Sequence, residues 1–421
     1  MKADTITPSR NRDRIIILLI FIVFAVMLPR MYYDWDNTCW RQWALEIFHS
    51  GLTNIYADNS VNYHPIFLYV LYCYDKIQGS EQKIIENINQ LKYFTMCFDF
   101  LPLVVLCCFR QRFFKQEIPY TFLLFNVAYL FNSIYWGQVD SIPTNLAFLA
   151  IIIACYTPVA AAVLFMLALC TKLQAIIFTP ILIILYLYRI KSIRQLLMVL
   201  LAMAVTLTIV VLPFAVKGKL PQLQHVLTSA VGFYPHLTQG AFNFWLLVTK
   251  DAPNIDDSLK VGGLSYKHWG LILFSVTTGT MLLTFFFRML RLRLEKLEMN
   301  DNTQNLMFLC GGAIALFFFY FTTEMHERYS HPMVIFFFFY SILSRNYLLY
   351  IVASLAYLIN LNIAFPQYLP FSEYKDIFTP TFTAWVYTLA VVIALVSFFK
   401  NYNPAKEYLL FRSALRNPTP E

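Results

Sequence analysis

Long apolar runs separated by short polar islands organise this chain. The runs that predict membrane spans cover 15–30, 92–110, 117–135, 141–156, 158–171, 174–188, 195–214, 268–288, 305–321, 332–344, 347–364 and 380–399. About 20 apolar residues cross a bilayer, with roughly 17 to 25 tolerated, so the pattern predicts about twelve transmembrane helices. Pro158, Pro213 and Pro332 fall at predicted span ends, where a missing amide donor costs least. The run 64–75, "HPIFLYVLYCYD", reaches only about half a bilayer and is expected to lie along the outer surface or to dip in partway. Before it, "CWRQWALEIFHSGL" sets Trp40, Trp43, Ala44, Ile47 and Leu52 at near-helical spacing. That predicts an amphipathic helix lying at the interface. The expected fold class is an all-α polytopic membrane protein with amphipathic juxtamembrane helices in the first outer loop.

Composition agrees. Of 421 residues 59% are hydrophobic and 13% charged, far below the quarter or so of a soluble domain. The net charge of +8 does not point to nucleic acid, because the basic residues are scattered between apolar runs and read as topology signals. With 64–75 left out of the spans, the basic clusters fall on one side: Lys2/Arg10/Arg12/Arg14, Arg110/Arg112/Lys115, Arg189/Lys191/Arg194, Arg288/Arg291/Arg293/Lys296, Arg345, and Lys400, Lys406, Arg412 and Arg416 in the tail. Both termini are then expected in the cytoplasm of a multi-pass plasma or inner membrane protein with a retained first span. The outer segments are 31–91, 215–267 and 365–379. Eight cysteines show no metal spacing; Cys39 and Cys73 share one polar region and would pair if it faces an oxidising compartment.

On this topology the unusual polar islands share the outer side: "YYDWDN" (32–37), "NYHP" (62–65), "WGQVDS" (136–141), "TKLQ" (171–174), "GFYPHLTQGAFNFW" (232–245) and "EMHERYSHP" (324–332). Ionisable groups near hydrocarbon are costly and mark a site or pathway. Plain loop polarity accounts for "NDNTQN" (300–305), but not for Trp-Gly-Gln-Val-Asp between apolar helices. Carboxylates with Lys, Arg and His, and no nucleotide loop, suit a lipid phosphate delivered through the bilayer. A cation would hold the phosphate while a carboxylate deprotonates an incoming hydroxyl.

These residues resemble the GT-C-fold integral membrane glycosyltransferases, in particular bacterial relatives of the enzyme that adds the second mannose to GPI anchors, the PIG-V-like mannosyltransferase family. The resemblance runs from about 15 to 345. It rests on Asp36 with Trp40, Trp43 and Ala44; "NYHP"; Lys92 and Asp99 in "KYFTMCFDFL"; "WGQVDS"; "TKLQA"; "FNFW"; and "MHERYSHP". His64 stands where the family often has proline, and Ser330-His331 replaces an apolar pair. The resemblance implies a GT-C-like catalytic module over 1–345, with further helices in 346–399 and a cytoplasmic tail in 400–421. It also implies an inverting transfer of a hexose, mannose first among the candidates, from a polyprenyl- or dolichyl-phosphate donor. The acceptor would be a lipid-linked glycan, a polysaccharide or a protein on the outer face.

The resemblance makes Asp36 the general base, Asp34 a supporting acid and Asp140 a catalytic partner. It assigns the donor phosphate to Arg328 and Lys172, and substrate contacts to Gln138, His326, Glu327, Trp136, Asn243, Trp245, Tyr329 and His64. Each residue also has a plainer reading. Asp34 and Asp36 end a span, Asp140 caps the next one, Lys172 snorkels to headgroups, and Trp245 anchors at the interface. Lys92 and Asp99 are expected to pair inside the bundle. No cofactor is expected; were a divalent ion used, Asp34, Asp36 and Asp140 would suit Mg or Mn. The competing reading is a non-enzymatic transporter or lipid flippase, which predicts broken helices and polar groups at mid-membrane.

Overall fold

The computed structural model describes residues 8–28, 34–57, 61–114, 116–229, 232–364 and 376–416, and only the backbone of 8–11, 34–35 and 110–113. Most of the third outer segment, 365–375, lies outside the described residues.

Most of the described residues are helical. In order the helices are α1 (Pro8–Met27), α2 (Asp34–Ser50), α3 (Pro65–Gln78), α4 (Glu81–Glu86), α5 (Lys92–Phe113), α6 (Tyr120–Leu124), α7 (Val127–Leu130), α8 (Ser141–Ile153), α9 (Pro158–Thr171) and α10 (Thr179–Arg189). They continue with α11 (Ile193–Val216), α12 (Leu220–Ser229), α13 (Phe244–Val248), α14 (Tyr266–Leu294), α15 (Asp301–Phe321), α16 (Pro332–Ser344), α17 (Leu348–Ala364), α18 (Pro380–Asn401) and α19 (Pro404–Arg416). A two-stranded antiparallel hairpin, β1 (Lys260–Val261) and β2 (Leu264–Ser265), breaks the all-α expectation in a small way. It turns on Gly262 and Gly263, both at positive φ, as a tight hairpin requires.

Among the described residues five helices are long and apolar enough to cross a membrane: Ile88–Phe109, Ile193–Val216, Tyr266–Leu294, Asp301–Phe321 and Pro380–Asn401. Shorter apolar helices are Ser141–Ile153, Pro158–Thr171, Leu173–Arg189, Pro332–Ser344 and Leu348–Ala364. Such helices suit a lipid bilayer.

Two expectations change. The run 117–135 is no continuous helix but α6, α7 and a π-helical turn over Phe131–Trp136. The break is made by Asn126, whose side chain accepts the Tyr129 N–H at 3.1 Å and restarts the helix. The helix around Trp40 is present as α2, but its apolar stripe faces protein. Trp40, Trp43, Ala44 and Ile47 are buried, and the Trp40 ring packs 4.7 Å from Phe67 and 5.0 Å from Tyr63. The tail 400–421 carries a helix, α19. Cys39 and Cys73 are both free thiols.

The chain clusters into two compact units. The first holds Met1–Ile153, Ala160–Ala175 and Leu200–Ala230; the second holds Ala154–Val159, Ile176–Val199 and Val231–Glu421. In the first, α1 and α8 pack on α5, and α2 packs on α3. In the second, α15 packs on α14 and α16, and α17 on α18. The α15–α16 contact depends on two small residues: a Cβ at Gly311 would enter the Phe336 ring, and one at Gly312 the Phe337 ring. Close helix approach at glycine replaces the hydrophobic drive that lipid cannot supply. Gly312→Ala is therefore expected to cost about 1–3 kcal/mol by overpacking. Thermal melting in detergent should show a lower midpoint, which Phe337→Leu in the same chain partly restores.

Candidate functional site

In the first unit, α2 starts at Asp34 and places Asp36 in its first turn, where free N–H groups favour a negative charge. Two side chains about a hundred residues away donate to one oxygen of Asp36. Trp136 Nε1–H and Gln138 Nε2–H both reach Oδ2, the latter at 2.7 Å. Oδ1 has no hydrogen-bond partner among the described residues. The side chain of Asp34 lies outside the described residues.

Both donors come from the π-helical turn and the residues after it. The turn ends at Gly137, whose φ of 82° lies in the left-handed region, and the Gln138 N–H then closes back on the Asn132 carbonyl at 2.8 Å. Two charged residues of α5 hold the turn. Lys92 Nζ donates to the Tyr135 carbonyl at 2.7 Å, and Asp99 accepts from Ser133 Oγ. The expected Lys92–Asp99 pairing is thus replaced by two grips on one turn. A Cβ at Gly137 would sit 3.2 Å from Lys92 Cε, so chain direction and packing both ask for glycine.

Asp140 receives Lys172 Nζ at 2.5 Å on Oδ1 and Asn132 Nδ2 at 3.2 Å on Oδ2. The Lys172 side chain, 15% exposed, turns inward to this carboxylate instead of snorkelling. His64, buried at the N-terminus of α3, points Nδ1 at the Leu169 carbonyl, 3.1 Å away. The carbonyl requires the proton on Nδ1. Burial holds the imidazole below its usual value and the Lys172 charge adds to this, against the pull of the Leu169 carbonyl. Asp36, Trp136, Gln138, Asp140, Lys172 and His64 therefore all belong to the first unit. No three His, Cys, Asp or Glu side chains converge as metal ligands would among the described residues.

The other expected residues belong to the second unit. Glu327, buried, accepts Arg328 Nη1 at 2.8 Å, and its other oxygen lies 3.8 Å from His326 Nδ1. Burial pushes the Glu327 carboxyl up, but the nearby His326 ring and the Arg328 charge outweigh it and leave it low. The His326 ring stands edge-on to Tyr234 and Tyr329, at 4.9 and 5.1 Å, and Arg328 lies over Tyr329 at 5.5 Å. Gly240, at φ 80°, leaves room for Glu327: a Cβ there would meet Oε2 at 3.0 Å.

Asn243 and Trp245 are engaged in holding the backbone. Asn243 caps α13 and donates to the Phe319 carbonyl at 3.1 Å, while Trp245 Nε1 donates to the Phe321 carbonyl at 3.0 Å. Both are buried, so their expected contact with a sugar has no polar atom shown reaching outward.

Three residues of these clusters, Asn132, Lys267 and Asn360, escaped the reading of the sequence, and Glu324 entered it only as the first residue of the 324–332 island. Asn132 helps hold Asp140, and Asn360 clips the 240–242 segment by bonding Gly240 O and Phe242 N, both at 2.9 Å. Glu324, at φ 63°, takes Lys267 Nζ and the Gly232 N–H. Asn132 and Asn360 each left a signal, an amide inside an apolar run. The chain matches no family model and no curated protein.

Gly137→Ala is expected to cost about 1–3 kcal/mol, because it strains a left-handed residue against Lys92. The detergent melting midpoint should fall, and Trp136 fluorescence should shift as its Asp36 contact loosens. His64 adds a pH effect. Its folded value is depressed, so the unfolded state binds the proton more readily, and stability should fall as pH drops below the unfolded value of about 6.5. Asn at 64 keeps a donor near the Nδ1 position, and His64→Asn should flatten this part of the melting profile between neutral and mildly acidic pH.

Proposed function

We propose that the protein is a membrane glycosyltransferase of the GT-C type. On this reading it moves a hexose, mannose first among the candidates, from a polyprenyl- or dolichyl-phosphate to a hydroxyl of a lipid-linked glycan, polysaccharide or protein. The observation that carries the reading is the doubly donated Asp36. Two N–H groups fix one carboxylate oxygen while the second has no partner among the described residues, as suits a base that must meet a substrate proton. The resemblance of the surrounding motifs to that family supplies the reaction class.

On this reading Asp36 takes the acceptor proton as the acceptor oxygen bonds to the anomeric carbon. The bond to the phosphate oxygen breaks on the opposite side, which inverts the centre. Trp136 and Gln138 orient the base. Asp140 positions Lys172, whose ammonium offsets charge on the departing phosphate. Arg328, held by Glu327, carries the same assignment in the second unit from its motif. The site is assigned to the extracytoplasmic face of about twelve spans, with both termini in the cytoplasm.

Membranes supplied with labelled polyprenyl-phosphate mannose test this. Asp36→Asn keeps an oxygen for both N–H donors and loses the base, so transfer should drop about 10²- to 10⁴-fold without loss of fold. Transfer at the wild-type rate by that variant would exclude Asp36 as the base. Solute uptake by reconstituted protein, with no glycosyl product, would favour a transporter instead.

A further inference from the structure

The apolar helix α18 ends at Asn401, and two residues later α19 begins, its first turn capped by Asn403 Oδ1 on the Lys406 N–H at 3.0 Å. A helix that follows a span-length segment so closely starts at the edge of the bilayer. Its inner side is pinned to α14. Glu407 and Arg288 form a buried ion pair, Arg288 lies 5.1 Å over the Tyr402 ring, and Phe287 packs against Tyr408 and Phe411 at 5.2 and 5.4 Å.

The outward side has a different character. Leu409 is 60% exposed, Leu415 57% and Tyr408 43%, and Lys406, Arg412 and Arg416 are exposed with them. At helical spacing Tyr408 and Leu415 share one flank, Lys406 takes the other, and Leu409, Arg412 and Arg416 run between. The helix's one acid, Glu407, is sequestered in the ion pair, so its exposed charges are all positive. On the neighbouring end of α14, Glu295 is itself paired with Arg291.

We infer that α19 lies in the headgroup layer and binds anionic phospholipid. Tyr408, Leu409 and Leu415 dip toward the acyl boundary while Lys406, Arg412 and Arg416 meet lipid phosphates. The occupant is lipid, not a protein partner, on two grounds: the helix follows a candidate span directly, and the charges its free face exposes are all basic, beside exposed Leu409 and Leu415, which complements an anionic headgroup layer over an acyl boundary.

The test uses the full chain in nanodiscs of phosphatidylcholine alone or mixed with phosphatidylglycerol, with hydrogen exchange followed over 404–416. Exchange should slow at least about threefold in the anionic discs, since each basic residue near such a surface is worth on the order of 1 kcal/mol. High salt should erase most of the difference. The combined K406Q/R412Q/R416Q variant should lose the dependence on lipid charge, and L409S/L415S should exchange faster in both discs. Exchange over α15 and α16 checks that each variant is folded. Equal wild-type exchange in the two discs, or a lipid dependence that survives the three glutamines, would overturn the inference.

Discussion

The carboxylate of Asp36 is the constraint on which the first unit's polar cluster depends. A charged oxygen among apolar helices is tolerable only where donors replace water, and here an indole N–H and an amide N–H converge on Oδ2. Those donors belong to a segment distant in sequence, so they arrive only if that segment takes an unusual path. A regular α-helix through 131–138 would rotate Trp136 and Gln138 to other bearings. The π-helical turn, with its wider ring and its left-handed exit at Gly137, brings both side chains onto one oxygen.

Such a turn forms poorer backbone bonds than an α-helix and has to be held. Lys92 and Asp99, seven residues apart on α5, do this from one neighbouring helix through the Tyr135 carbonyl and the Ser133 hydroxyl. Burying a lysine and an aspartate in a span is costly. Their placement shows where that cost goes: into the shape of the segment that presents Gln138 and Asp140. The arrangement of this polar cluster is thus set by residues that touch neither Asp36 nor Asp140 through any bond described above.

Much of this was legible in the sequence, and the limits have physical causes. The apolar runs marked nearly every long helix, because burial in lipid or protein both demand hydrophobic residues. The same fact explains why the partner of the α2 stripe was not legible: Trp40, Trp43, Ala44 and Ile47 look alike whether they cover lipid or the rings of Tyr63 and Phe67. The continuous span at 117–135 failed because one amide, Asn126, outcompetes the backbone for a donor, a local event that hydropathy averages away. Among site residues, Asp36, Gln138, Asp140 and Lys172 stood out as expensive groups in apolar surroundings. Lys267 did not, since nothing local separates a loop-stapling lysine from an ordinary polar one, and the partners of Glu324 and Asn360 lie far away in the chain.

The two cations singled out for phosphate share a feature that bears on how a charged substrate is received. Lys172 is held by Asp140 and Arg328 by Glu327, each within its own unit. A cation left unpaired in such surroundings would cost several kcal/mol, and removing one partner of a buried pair typically costs about 3–5 kcal/mol. The carboxylate therefore offsets the cost of burying each cation. On the proposed reading, an arriving anion would meet a cation that the surrounding protein has already stripped of water. Electrostatic preorganisation of this kind needs the acid as much as the base. On the same reading Glu327, held low by its neighbours, would serve to keep Arg328 in place.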